Sequence, residues 1–132
     1  MEISLTLSVN KLGLPLIVTT GNPNFCFLID TGATHNIVFS YVYEEFPQYF
    51  SASQDSLCIM GIEGIKQEVN QVKASISFGK KESRVTFSVM DANVAVLQIQ
   101  KESGIQIHGI LGIPFLVQNK WILDFKNLSV QC

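Results

Sequence analysis

The stretch Phe25-Cys26-Phe27-Leu28-Ile29-Asp30-Thr31-Gly32-Ala33 runs an apolar strand straight into a carboxylic acid, with a hydroxyl next and a glycine two positions on. A carboxylate behind such a strand is costly to bury unless hydrogen bonds or a shared proton offset the loss of water, so an acid here implies a partner. Gly32 permits a tight turn that aims backbone N–H groups back at Asp30. Thr31 adds a hydroxyl on the same turn, available to hydrogen-bond across a symmetric interface. The plainer reading makes Asp30 a helix cap or simple turn residue.

Outward from this stretch, alternation dominates. Ile3, Leu5, Leu7 and Val9 alternate with Glu2, Ser4, Thr6 and Ser8, the pattern of a half-buried strand. Leu14 to Thr20 forms a second strand candidate, closed by the turn signal Gly21-Asn22-Pro23-Asn24. Phe39 to Phe50 is less regular and fits a short helix or an aromatic loop. Gln67 to Phe78 and Arg84 to Met90 flank Gly79-Lys80-Lys81-Glu82 as a hairpin. Asp91-Ala92-Asn93 reads as a surface turn, and Ile113 to Gln118 is the best helix candidate, with Pro114 tolerated in its first turn. Trp121 to Phe125, a turn at Lys126-Asn127 and Leu128-Ser129-Val130 give a final hairpin. Many short strands and one short C-terminal helix predict an all-β fold, barrel or sandwich.

The 132 residues suit one domain, 1–132, and at 47% hydrophobic and 15% charged they can build a core without metal or disulfides. The net charge of -2 and scattered Lys and Arg exclude a nucleic-acid surface; Lys80, Lys81 and Arg84 beside Glu82 read as a solvated turn. Cys26, Cys58 and Cys132 lie far apart, and neither they nor His35 and His108 have partners at metal-ligand spacing, so no metal and no cofactor is expected. Cys26 reads as a packed thiol. No run approaches the length of a membrane span, and the first residues alternate like a strand where a signal would carry a long apolar run, so localisation is open, cytoplasmic if Met1 is the native start. Gly-x-Ser-x-Gly and His-Glu-x-x-His do not occur, which leaves serine and metalloprotease chemistry without a motif.

Leu28-Ile29-Asp30-Thr31-Gly32-Ala33 resembles the active-site turn of the retropepsin-like aspartic proteases. A second element strengthens the resemblance: Ile110-Leu111-Gly112, similar to the apolar-apolar-glycine segment beside that turn, followed by the family's short helix at Pro114 to Asn119. Between them, Ile59-Met60-Gly61-Ile62-Glu63-Gly64-Ile65 resembles the flap hairpin that closes over a bound peptide. The resemblance runs from about Leu12 onward. Thr34 and His35 depart from it, standing where many members carry an acidic or small polar residue, and the stretch between the flap and Gly109 is longer than in compact viral enzymes.

The resemblance implies a closed, barrel-like acid protease fold, with Asp30, Thr31 and Gly32 catalytic. Ala33, Ile59, Met60, Gly61, Ile62, Glu63 and Gly64 would bind a peptide or protein substrate, and Ile110, Leu111 and Gly112 would support the turn. Peptide hydrolysis by this chemistry takes two carboxylates sharing one proton, and the chain has one such turn; Asp55, Asp91 and Asp124 lack the glycine. A homodimer would bring Asp30 to its own copy across a two-fold axis. The two chain ends, Ile3 to Leu7 and Leu128 to Cys132, would interleave across that interface, or else pair within one subunit. Other outcomes of the same fold are a silent peptide-binding or dimerisation module and one lobe of a larger protease.

Overall fold

The computed structural model describes residues 1–60 and 66–132; of residues 53–60 and 66–68 only the backbone pairing is described. Ten strands and four α-helices alternate along the described chain: β1 (Glu2–Ser4), α1 (Thr6–Leu12), β2 (Leu16–Val18), β3 (Cys26–Ile29), β4 (Ile37–Phe39), α2 (Ser40–Glu45), β5 (Ser51–Met60), β6 (Lys66–Phe78), β7 (Lys81–Met90), α3 (Val94–Ser103), β8 (Gly109–Leu111), α4 (Ile113–Gln118), β9 (Ile122–Asp124) and β10 (Ser129–Gln131). A 3-10 turn, Pro47–Tyr49, follows α2, so the aromatic stretch resolves into a helix and a turn.

Seven strands form one sheet in the order β2-β3-β8-β4-β7-β6-β5, and three form another, β1-β10-β9. The first sheet is open, with β2 and β5 at its edges, so the expected closed barrel is not formed. Four α-helices stand among the described residues, where one was expected at the C-terminal end and Phe39 to Phe50 allowed a second.

The first helix shows why the sequence misleads. Ile3, Leu5, Leu7 and Val9 recur with period two, yet Leu5, Val9 and Leu12 also recur at i, i+4, i+7, the period of a helix face. The second period wins. Leu5 is 1% exposed and Leu7 69%, while Val9 and Leu12 pack against the core. Gly13 then ends α1 in the left-handed conformation, φ 69°, with its N–H on Val9 O. In α3 the supposed surface turn is a cap: Asn93 accepts the Val96 N–H at 2.8 Å, and Gly104 closes the helix.

The chain ends pair with each other inside one subunit, Glu2 opposite Gln131 and Ser4 opposite Ser129. Because β10 sits between β1 and β9, neither of its edges is free to interleave with a second copy.

The β6–β7 hairpin forms as read, in register from Gln71↔Ser88 to Phe78↔Lys81. Its inward residues Val72, Ala74, Ile76, Phe78, Val85 and Phe87 enter the core, where Phe27 stacks on Phe87 at 5.6 Å. At the hairpin's end Phe78, Phe115 and Trp121 meet edge to face, with Phe115 and Trp121 centroids 4.8 Å apart. Fully burying one side chain such as Phe115 is worth about 1.5–3 kcal/mol, which fixes α4 on the sheet and with it the segment leading into α4.

Candidate active site

Asp30 stands where β3 leaves the sheet. β3 is buried almost throughout, flanked by antiparallel β2 and parallel β8, with Phe27, Leu28 and Ile29 opposite Gly109, Ile110 and Leu111. β4 lies on the other side of β8, Ile37 opposite Ile110. The short strand β8 therefore runs between the segment that enters the Asp30 turn and the segment that leaves it. Gly109 is required for this threading, because a Cβ there would collide with the Ile37 carbonyl and come 3.0 Å from the Phe27 ring.

The turn is closed by its own backbone. Gly32 N–H donates to Asp30 Oδ1 at 2.8 Å, Ala33 N–H donates to Asp30 O at 3.1 Å, and Asp30 N–H donates to Leu111 O at 3.0 Å. Asp30 as a residue is half-buried, its carboxylate is aimed by the glycine turn at the surface, and Thr31 and Gly32 are exposed. Ile113 N–H donates to Ala33 O at 3.0 Å, tying the start of α4 to the same turn.

One contributor carries no signal in the sequence. Asn36 is 5% exposed; its Oδ1 accepts the Gly112 N–H at 3.0 Å, its Nδ2 donates to Thr86 O at 3.3 Å, and its own carbonyl accepts from Ser88 N–H at 2.8 Å. An Asn four residues past an Asp-Thr-Gly looks like any loop residue until β7 and β8 are folded around it.

Of the residues read as site candidates, the structure brings Asp30, Thr31, Gly32 and Ala33 together with Ile110, Leu111 and Gly112. Ile59 and Met60 lie at the end of β5, described in backbone only, and Gly61, Ile62, Glu63 and Gly64 fall outside the described residues. Thr34 Oγ1 and His35 Nδ1 are hydrogen-bonded at 2.9 Å immediately after the turn.

Two of the other acids are engaged elsewhere, and Asp55 lies where only the backbone pairing is described. Asp91 accepts from the Ser40 hydroxyl. Asp124 accepts from the N–H groups of Lys126 and Asn127 and from the Asn127 side chain, and the Asn127 bonds first of all hold its carboxyl below the ordinary range. His108 is more than a loop residue. Its Nδ1 accepts the Cys26 N–H at 2.9 Å and its ring meets Phe25 edge-on at 5.2 Å. Burial lowers its basicity, partly countered by the Glu45 charge. Burial also pushes the Cys26 thiol up to about 11, which suits a packed, unreactive group.

No protein-family model matches the chain, and no curated protein sequence matches it. Among solved structures it is similar to the retroviral protease-like domain of Ddi1 from Leishmania major, with a TM-score of 0.55 over 89% of this chain and 88% of that one. The fold is retropepsin-like. At 13% identity the similarity is one of backbone path.

Among the described residues no helix is long and apolar enough to cross a membrane. Cavities of about 530, 460 and 510 Å³ lie at the paired chain ends, beside α1 and between α2 and β6, and none is lined by Asp30.

Proposed function

We propose that this chain is an aspartic endopeptidase that works as a homodimer, hydrolysing peptide bonds with a water held between the Asp30 carboxylates of two subunits. One carboxylate would take a proton from the water while the other, protonated, donates to the scissile carbonyl oxygen. The observation that carries this reading is the half-buried Asp30 at the end of β3, fixed through Gly32 N–H and Leu111 O within a retropepsin-like fold.

A second carboxylate must then come from a second copy. Support for a contact near the turn comes from α4, whose first residue bonds to Ala33 and which leaves Ile113 41% and Val117 67% exposed. Since β10 is already paired on both edges within the chain, the two subunits would meet through the turn and α4, with only the outer edges of β1 and β9 in that sheet open to strand pairing between copies. The self-paired ends also favour a second reading, in which the domain stands alone as a silent peptide-binding module or as one lobe of a larger protease.

Substrate would lie extended over Asp30 under the β5–β6 hairpin, bonded through its main chain. The test is cleavage of an apolar-rich peptide library by the wild type and by Asp30→Asn. Cleavage abolished by this one-atom change supports the proposal; cleavage that persists at the wild-type rate refutes it.

A further inference from the structure

The parts of the candidate site come from segments far apart in the chain, and they meet at one buried side chain. Asn36 touches β7 through the Thr86 carbonyl and the Ser88 N–H, and touches the β8–α4 junction through the Gly112 N–H. Gly112 is held on its other side as well, since a Cβ there would lie 2.7 Å from the carbonyls of both Ala33 and His35. The neighbouring Leu111 carbonyl receives the Asp30 N–H, and the neighbouring Ile113 N–H reaches Ala33.

The chemistry of the two contacts selects the residue. One partner is an N–H and the other a C=O, so the side chain must present an acceptor at one end and a donor at the other. Asn does this in a single orientation. Leu of similar size would leave the Gly112 N–H buried and unbonded, and an ionised Asp would set a negative oxygen against the Thr86 carbonyl.

From this geometry we infer that Asn36 is a positioning residue for Asp30: it locks Gly112, and through Leu111 and Ile113 it fixes the height and direction of the Asp30 turn. The inference rests on the peptidase reading for its effect on catalysis, while its geometric content stands apart from that reading. A displacement of the turn by about 1 Å costs catalysis heavily, by as much as about a hundredfold.

The test compares Asn36→Leu and Asn36→Asp with Val96→Ala, a buried substitution on α3 that lowers stability without touching the site. Two readouts are taken on each protein: peptide cleavage and amide hydrogen exchange by NMR. In Asn36→Leu, kcat falls at least about tenfold with KM within about twofold, and the Gly112 and Asp30 amides exchange at least about tenfold faster than in Val96→Ala, while Val85 and Phe87 in β7 do not. In Asn36→Asp both losses shrink toward wild type as pH is lowered, because a protonated Asp regains the donor and acceptor pair of Asn. Exchange that rises equally at all amides, or at neither Gly112 nor Asp30, overturns the inference. If the wild type cleaves nothing, the peptidase reading falls, and the exchange comparison still decides whether Asn36 holds the turn.

Discussion

Gly112→Ala is the sharpest perturbation of the site's scaffold. Gly112 has an ordinary φ of -95°, so the demand for glycine is one of space. An added Cβ would stand 2.7 Å from the Ala33 and His35 carbonyl oxygens and 3.1 Å from the Ala33 Cβ, and neither carbonyl can swing away as a flexible side chain would. Overpacking of this kind costs about 1–3 kcal/mol. Relieving it by moving the strand end strains the Gly112–Asn36 and Ile113–Ala33 hydrogen bonds, each worth about 0.5–1.5 kcal/mol. The sum is about 2–6 kcal/mol, a large part of the roughly 5–15 kcal/mol that holds a domain together. For a chain of this size the melting temperature should drop by at least about 6 °C. Thermal unfolding followed by circular dichroism measures it, with Gly104→Ala as the contrast. At Gly104 nothing lies within 4 Å and the cost is that of a left-handed φ of 72°, about 1–2 kcal/mol. A Gly112→Ala protein melting within about 2 °C of wild type would refute the packing argument.

Further outcomes follow from the same structure. His108 is held neutral by burial, so its proton affinity is higher unfolded than folded; its contribution is complete above the ordinary value of about 6.5 and is lost as pH falls toward the lowered folded value, by at most about 1.4 kcal/mol per pH unit. Urea unfolding of wild type and His108→Gln across that range should converge as pH falls; parallel curves would remove His108 from the account. With its thiol near 11, Cys26 is about one-thousandth thiolate at pH 8, so iodoacetamide followed by peptide mass mapping should label half-exposed Cys132 and spare Cys26 until the protein unfolds. Labelling of both at equal rates would contradict the packing of β3. Asn93→Ala removes the α3 cap and should cost about 1 kcal/mol in chemical denaturation, with peptide cleavage unchanged; an unchanged midpoint would mean the cap contributes nothing.

What the sequence disclosed and what it hid follow from the range of the interactions. The Asp30 turn, the β6–β7 hairpin and α4 were legible because each is specified by adjacent residues: an acid with a glycine two on, a glycine between alternating runs, a proline at the start of an apolar helix. α1 was hidden by an apolar spacing that satisfies two periods, and only the burial of Leu5 against the exposure of Leu7 chooses between them. α3 had a signal in Asn93, Lys101 and Gly104 that its exposed, weakly apolar face obscured. Asn36 had none, because its meaning lies in two backbone groups, at Thr86 and Gly112, fifty and seventy-six residues further on. The pairing of the chain ends with each other was likewise undecidable from two apolar strands, since an edge shows no preference between its own subunit and a copy.

The central claim is that two Asp30 side chains make one site. Titration of the protein with a peptide inhibitor that mimics the tetrahedral intermediate, followed calorimetrically and by light scattering, tests this most directly. The account predicts about half an inhibitor molecule bound per chain and a species of about twice the 14.6 kDa subunit mass, both lost together in Asp30→Asn. One inhibitor per chain on a 14.6 kDa monomer, or a monomer indifferent to the inhibitor, would contradict it.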